Sequence, residues 1–404
     1  MKRRKRSLSR TGGPCSLAGD PALAATLARC LDVDPEAKLP FTHGFHSYPA
    51  RMHPETARRA LEAFPGGAVL DPFVGSGTTA VEALRAGRPF TGIDLSPVAI
   101  EVAWARTRML HPDECRRFER AGLDLAERAF AENERREFVY PSEALEERGW
   151  YDPHTLREIC VLKALIDGAE ELHRRLLRCV LSSIVVKLSY QAGDSDSRKD
   201  PRFRPRPRGA AFRNLADRCS ELTKALLQLS SDLYKRKVER REPELVRADA
   251  RAHAPRGPVD LVLTSPPYPG TYDYALQHQR RYWIFGEKPE PVLAAEIGAR
   301  RDLEGRPGGL RRYREDLDRW LRLALGALAP DGKIVLLIGD GTAGGTLVKT
   351  RQLMIELARG AGARVAASAS QERPEPWGGG KRQEHLLLVE KAPPAPAEPG
   401  TTGA

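Results

Sequence analysis

Two short segments of this chain carry side chains whose types and spacing suit chemistry on a flat, amine-bearing group. The first is Ser265-Pro266-Pro267-Tyr268, which follows the apolar run Val259-Asp260-Leu261-Val262-Leu263-Thr264. A brief, β-branched run ended by prolines reads as a buried strand. Consecutive prolines lack N–H groups and fix φ, so the chain must leave the sheet there in a stiff, predetermined shape. Backbone carbonyls are thereby left without strand partners, beside the Ser265 hydroxyl and the Tyr268 ring. Rigid acceptors next to a stacking ring suit a planar group bearing an amine. The second segment is Asp71-Pro72-Phe73-Val74-Gly75-Ser76-Gly77-Thr78-Thr79, between Ala68-Val69-Leu70 and a helical pattern over residues 80–86. This is strand, glycine turn and helix, with free N–H groups at the helix start. A phosphate cradle is the rival reading, but the P-loop lysine is missing and the spacing is not G-x-G-x-x-G. Pro89-Phe90-Thr91-Gly92-Ile93-Asp94 then reads as a second strand, ending in an acid placed to take two ribose hydroxyls.

The elements that must hold these residues are interrupted. About 150 residues separate Asp94 from a third strand near Val246, too many for one crossover helix. Within them Ile159, Leu162, Leu165, Ile166, Ala169, Leu172, Leu176, Leu177, Val180 and Leu181 recur at helical spacing. So do Leu215, Cys219, Leu222, Leu226, Leu229 and Leu233, and such faces read as core. Between the two stretches lies a proline-broken, arginine-dense loop. Arg202, Arg204, Arg206 and Arg208 could meet phosphates while Phe203 stacks on a base; a solvated basic linker is the other reading. Beyond Tyr268, residues 311–328 read as an amphipathic helix, 332–339 as a fifth strand and 352–361 as a helix. Residues 364–368 and 385–389 read as a closing strand pair around a glycine-rich loop containing Trp377. Alternating strands and helices imply a mainly parallel sheet covered on both faces.

Composition narrows the class. The 404 residues suffice for two domains, and 41% hydrophobic content can build a sizeable core. A net charge of +11 favours a polyanionic partner. Six scattered cysteines without a C-x-x-C pair fit neither zinc ligation nor a disulfide scaffold, and read as reduced cytosolic thiols. No apolar run approaches the ~20 residues a membrane span needs. The basic start, Met1-Lys2-Arg3-Arg4-Lys5-Arg6, leads into no apolar core of a secretory signal. A cytoplasmic protein without metal is expected.

Together the two segments resemble those of the amino-directed DNA methyltransferases, S-adenosylmethionine enzymes that methylate cytosine N4 or adenine N6. Residues 71–79 are similar to that family's cofactor loop and Thr264-Ser265-Pro266-Pro267-Tyr268 to its catalytic loop. His46-Ser47-Tyr48-Pro49-Ala50-Arg51-Met52-His53-Pro54 resembles a further cofactor-side segment, and Val246-Arg247-Ala248-Asp249-Ala250 the third-strand segment whose acid reaches the adenine. Tyr272-Asp273-Tyr274 and Tyr282-Trp283-Ile284-Phe285-Gly286 share the family's look. The resemblance covers residues 41–110 and 244–391. It implies an α/β fold: a doubly wound, mainly parallel Rossmann-like sheet with a large helical insertion. Residues 1–40 would then be a basic leader, 41–110 and 242–391 the methyltransferase domain, 111–241 an insertion suited to nucleic-acid recognition, and 392–404 a disordered tail.

The resemblance assigns Tyr48, Asp71, Phe73, Gly75, Gly77, Thr78, Asp94 and Asp249 to S-adenosylmethionine, and Ser265, Pro266, Pro267 and Tyr268 to catalysis. The target base must be flipped out of a duplex or already single-stranded. Serine at the head of the tetrad leans toward cytosine N4, with adenine N6 as the alternative. Carbon-5 methylation is disfavoured, because no cysteine lies in a Pro-Cys loop at a strand end; Cys15 follows Pro14, but in the leader. An RNA base methyltransferase would share every site residue. A binding protein on a decayed methyltransferase fold is the alternative from another class. DNA is the expected partner, with a restriction endonuclease as a second. The place of the insertion fits none of the family's topological classes cleanly.

Overall fold

The computed structural model describes residues 14–34, 36–49, 51–134, 138–374 and 381–392. Trp377, Ala50 and the tail from residue 393 lie outside the described residues, as does the basic start. In chain order the strands are β1 (Ser16–Gly19), β2 (Val69–Asp71), β3 (Phe90–Asp94), β4 (Gln191–Gly193), β5 (Asp196–Lys199), β6 (Glu244–Arg247), β7 (Val259–Thr264), β8 (Leu328–Gly339), β9 (Gly341–Ala343), β10 (Thr346–Val348), β11 (Ala363–Pro374) and β12 (Lys381–Lys391). Two pairs, β4–β5 and β9–β10, stand apart as hairpins, and the rest form one sheet ordered β1-β11-β12-β8-β7-β2-β3-β6. From β6 through β8 the neighbours run parallel, whereas β12 lies antiparallel between β8 and β11. This is a doubly wound, mainly parallel, Rossmann-like sheet, as expected.

Strand order places the site. The chain steps outward from β2 to β3 and β6, then returns to β7 and steps the other way to β8. Between β2 and β7 the winding reverses, and ligands of open α/β sheets bind outside the carboxyl ends of the strands there. Asp71 is the last residue of β2 and Thr264 the last of β7. Both sequence segments therefore leave the sheet side by side at the switch point.

The expected leader is only partly a leader. Residues 16–19 add β1 antiparallel to β11, and the helix Pro21–Leu31 follows at once. Asp20 caps this helix by accepting the Leu23 N–H at 2.9 Å, and Pro21 suits its first turn. Leu27, Cys30 and Leu31 are buried in a core cluster that also contains Leu386 and Leu388 of β12.

In the insertion, four helices (Pro112–Asn133, Pro153–Asp167, Glu171–Leu188 and Ala210–Lys235) share one apolar core. Leu162, Leu177, Leu181, Leu215, Cys219 and Leu222 are buried there, so both periodic stripes are core. The stripe over residues 159–181 is two helices rather than one. Gly168 follows the end of the first, and Glu171 starts the second. Gly122 lets the helices Pro112–Asn133 and Ala210–Lys235 approach closely, since a Cβ there would lie 2.4 Å from Cys219 Sγ. Phe45, Trp283 and Ile284 join the same core and fasten the insertion to segments flanking the switch point. No helix among the described residues is long and apolar enough to cross a membrane.

Candidate active site

Because β2 and β7 end as neighbours, the two loops touch. Thr264 Oγ1 donates to Asp71 Oδ1 at 2.6 Å, and the Phe73 N–H donates to the same oxygen at 3.1 Å. Burial pushes the Asp71 carboxyl up to about 6 despite these donors. One strand over, Asp94 accepts the Gly75 N–H at 2.9 Å and the Ser96 N–H at 2.8 Å. Burial lifts this carboxyl to about 6 as well. Gly75 has φ +49°, and a Cβ there would lie 3.4 Å from the Tyr48 ring, so glycine lets that ring sit over the turn.

Fully buried Arg106 places Tyr48. Its guanidinium donates to Ser76 Oγ at 2.7 Å, to the Ser76 carbonyl at 2.9 Å and to the His46 carbonyl at 2.7 Å. The segment before Tyr48 is thus stapled to the glycine turn. On its other side Tyr48 stacks on His278, with ring centres 4.5 Å apart. Arg281, also fully buried, donates to the carbonyls of Ser182 and Ser47 and to Asp194, joining the insertion to this wall.

These contacts enclose a cleft of about 960 Å³, counting the space open to solvent. Of the expected residues, Tyr48, Asp71, Phe73, Gly75, Thr78, Asp94, Asp249, Ser265 and Pro267 line it. The Thr78 hydroxyl is buried without a hydrogen-bond partner among the described residues, at the start of the helix Thr78–Arg85. A buried hydroxyl left alone beside free helix N–H groups suits a polar ligand end. Asp249 is forked by Arg251, at 2.9 Å from Nε and 2.6 Å from Nη2, and Arg251 also holds Asp316 at 2.7 Å. Burial alone would raise the Asp249 carboxyl, but the Arg251 pair outweighs it and holds it below the usual range.

Three expected residues are not in the lining. Gly77 has φ +83° and abuts Ala103, where a Cβ would come within 2.9 Å, so its need for glycine is packing rather than approach to a ligand. Pro266 is buried, and its carbonyl accepts no hydrogen bond among the described residues. The carbonyl of Pro267, expected to be free, accepts the Tyr313 hydroxyl at 3.0 Å. Tyr268, expected to present its ring to a base, is instead only 4% exposed. Its hydroxyl donates to Glu384 Oε1 at 2.8 Å, behind the loop.

The cleft also contains side chains that the motifs do not single out. Arg51 and Met52 line it from the cofactor-side segment, and Tyr274 and Glu296 from the chain beyond the tetrad. Glu296 accepts the Tyr274 N–H at 2.5 Å and Arg301 Nη1 at 2.7 Å, and burial pushes its carboxyl up to about 7. Tyr274 was visible in Tyr272-Asp273-Tyr274; nothing local marks Glu296.

The arginine loop lies apart from the cleft lining, and its residues divide in two. Arg202, Arg204 and Arg208 are exposed and make no ion pair among the described residues. Arg206 instead turns inward, donating to the Lys187 carbonyl at 2.7 Å and lying over the Phe203 ring. Phe203 packs edge-on against Tyr190, with centres 4.6 Å apart. Neither is presented for stacking on a base. Among the described residues no group of three or more His, Cys, Asp or Glu could hold a metal ion.

Residues 31–104 match the model of a family described as DNA methylase, N6_N4_Mtase. Over 81 residues the chain is 35% identical to the type II methyltransferase M.MvaI of Kocuria varians. That stretch is 19% of this chain and 18% of the relative, so the match spans under a fifth of the relative's length. Among solved structures, TrmN from Thermus thermophilus aligns at 14% identity and a TM-score of 0.29, covering 84% of this chain and 48% of that one. The rRNA methyltransferase aviRa from Streptomyces viridochromogenes aligns at 14% identity and a TM-score of 0.31, covering 90% of this chain and 92% of that one. At these scores neither structure bears on the site.

Proposed function

We propose, from the premise that this chain belongs to the N6/N4 amino-directed DNA methylases, that it moves a methyl group from S-adenosylmethionine to an exocyclic amine of a DNA base. One observation carries the reading: the 2.6 Å bond from Thr264 to Asp71, which couples the loop suited to an amine to the loop suited to a cofactor. When bound, S-adenosylmethionine supplies an electrophilic methyl group. Asp94 would hold the ribose hydroxyls, Asp249 the adenine, and Asp71 with Gly75 and the lone Thr78 hydroxyl the amino-acid end.

The residues of the tetrad act on the target amine. An exocyclic nitrogen is a poor nucleophile because its lone pair is delocalised into the ring. The Ser265 hydroxyl and the free Pro266 carbonyl accept its N–H groups, draw the nitrogen toward tetrahedral geometry and expose that lone pair. Holding the amine in place supplies much of the rate. Tyr268 braces this loop from behind, with its hydroxyl on Glu384. Ser265 favours cytosine N4 over adenine N6. Arg202, Arg204 and Arg208 supply phosphate contacts. The Kocuria relative's type II designation favours a cytoplasmic modification enzyme beside a restriction endonuclease.

The test is transfer of labelled methyl groups to duplex DNA and to RNA of matched sequence, by the parent protein and by Ser265→Ala. Label in DNA, reduced about a hundredfold in the variant, is expected from the loss of one oriented polar contact. Label in RNA alone, or a variant as fast as the parent, overturns the proposal.

A further inference from the structure

Behind the tetrad lies a buried polar cluster that the chemistry above does not use. Glu384, on interior strand β12, is 2% exposed and faces Gly339 of β8 across the ladder. Two residues on, Leu386, Leu387 and Leu388 are fully buried, as befits the middle of a covered sheet. A carboxyl in such a place is costly unless it is matched by donors. Its match is the Tyr268 hydroxyl at 2.8 Å, and the charge of Arg373 on β11 also acts on it. Arg373 is 1% exposed, lies 5.1 Å from the centre of the Tyr268 ring and donates to the Asp340 carbonyl at 2.6 Å. Gly339 makes the room, since a Cβ there would come within 2.6 Å of Tyr268 Cε2 and 2.8 Å of Arg373 Nε.

The loop in front of this cluster is stiff. Prolines at 266 and 267 fix φ at two successive positions, so few soft torsions separate Ser265 from Tyr268. Among the described residues it is held by Thr264 to Asp71 at 2.6 Å, the Pro267 carbonyl to Tyr313 at 3.0 Å, and Tyr268 to Glu384 at 2.8 Å. Of these the last is made by the tetrad's own ring, whose hydroxyl also interacts with the Ser265 hydroxyl. Fixing that ring against β8 and β12 sets the stance of the whole rigid segment, including the Ser265 hydroxyl and the Pro266 carbonyl in front.

We propose that Glu384 is a positioning residue for methyl transfer, acting through the Tyr268 hydroxyl to hold the Ser265-Pro266-Pro267-Tyr268 loop in register with the cofactor cleft. This rests on the reading of that loop as catalytic. Glu384 is not among the residues lining the cleft, so its effect belongs to the transfer step and not to cofactor affinity.

Single-turnover methyl transfer and S-adenosylmethionine affinity would be measured for the parent, Glu384→Ala, Glu384→Gln, Tyr268→Phe and the double variant Glu384→Ala with Tyr268→Phe. Expected is a loss of about tenfold in rate for Glu384→Ala and for Tyr268→Phe, the order of one hydrogen bond to a charged group. The double variant should be no slower than either single one, as for residues acting through one contact. Glu384→Gln, whose amide oxygen still accepts, should recover most of the rate, and every cofactor affinity should stay within about twofold. Parental rates in Tyr268→Phe or Glu384→Ala, losses that multiply in the double variant, or a parallel loss of cofactor affinity would each overturn the proposal. If the parent itself transfers no methyl group, the catalytic reading fails separately. A crystal structure of Glu384→Gln and of Glu384→Ala then decides: Tyr268 retained in the first and displaced in the second supports the positioning role, and Tyr268 unmoved in the second ends it.

Discussion

The cleft concentrates two carboxyls, Asp71 and Asp94, that burial lifts to about 6. Ribose hydroxyls and an ammonium group are donors, so they bind the ionised carboxylates. As pH falls through 6 both groups take up protons and lose that capacity. S-adenosylmethionine affinity should therefore weaken progressively as pH falls from about 7 toward 5. Binding near pH 6 should release protons, measurable by calorimetry in buffers of different ionisation enthalpy. Flat affinity across that range would mean that neither carboxyl meets the ligand. Asp94→Ala should cost at least tenfold in affinity, because charge-assisted hydrogen bonds are worth ~1.5–3 kcal/mol each. Unchanged affinity in the folded variant would remove Asp94 from the site. Tyr268→Ala should abolish most turnover while leaving cofactor affinity nearly intact, since Tyr268 is outside the cleft lining; turnover within a few-fold of the parent would remove the tetrad from catalysis. Asp71, Asp94 and Ser265 were legible because each sits at a fixed offset from a strand end. Glu296, and the pairing of Asp249 with Arg251 and Asp316, were not: the contacts that place them join residues far apart in the chain.

At the scale of elements, the arginine loop separates binding from packing. Neutralising Arg202, Arg204 and Arg208 should weaken DNA binding and flatten its salt dependence, each lost phosphate contact reducing the log–log slope by ~0.9. Arg206→Gln should instead lower thermal stability with little change in slope, because its guanidinium caps the Lys187 carbonyl rather than facing solvent. Binding curves at several salt concentrations check both, and an unchanged slope in the triple variant would make this loop a plain solvated linker. The central strands were legible as short apolar runs, and the helices over residues 153–188 and 210–235 from periodicity. The helix Pro112–Asn133 was not read from the sequence. The strand Ser16–Gly19 was not legible either: four small or apolar residues beside a basic start carry no local signal, and only pairing with β11 makes them a strand. Nor does composition tell which arginines of a basic run turn inward.

At the scale of the molecule, Arg281 ties the insertion to the wall of the cleft through Ser182, Asp194 and Ser47, so the two share one buried connection. The alternation of sequence patterns implies a mainly parallel sheet but not the order of its strands, and the meeting of the two loops follows from that order. The net charge of +11 gives such a molecule a general attraction for nucleic acid, without naming which. The most direct test is therefore the identity of the product. The protein, labelled S-adenosylmethionine and unmodified genomic DNA are incubated together, and the DNA is digested to nucleosides and resolved by mass spectrometry. Label in N4-methylcytosine is the predicted result, and label in N6-methyladenine would keep the reaction but reverse the target; label in 5-methylcytosine, or none in DNA from a protein that binds the cofactor, would contradict the account.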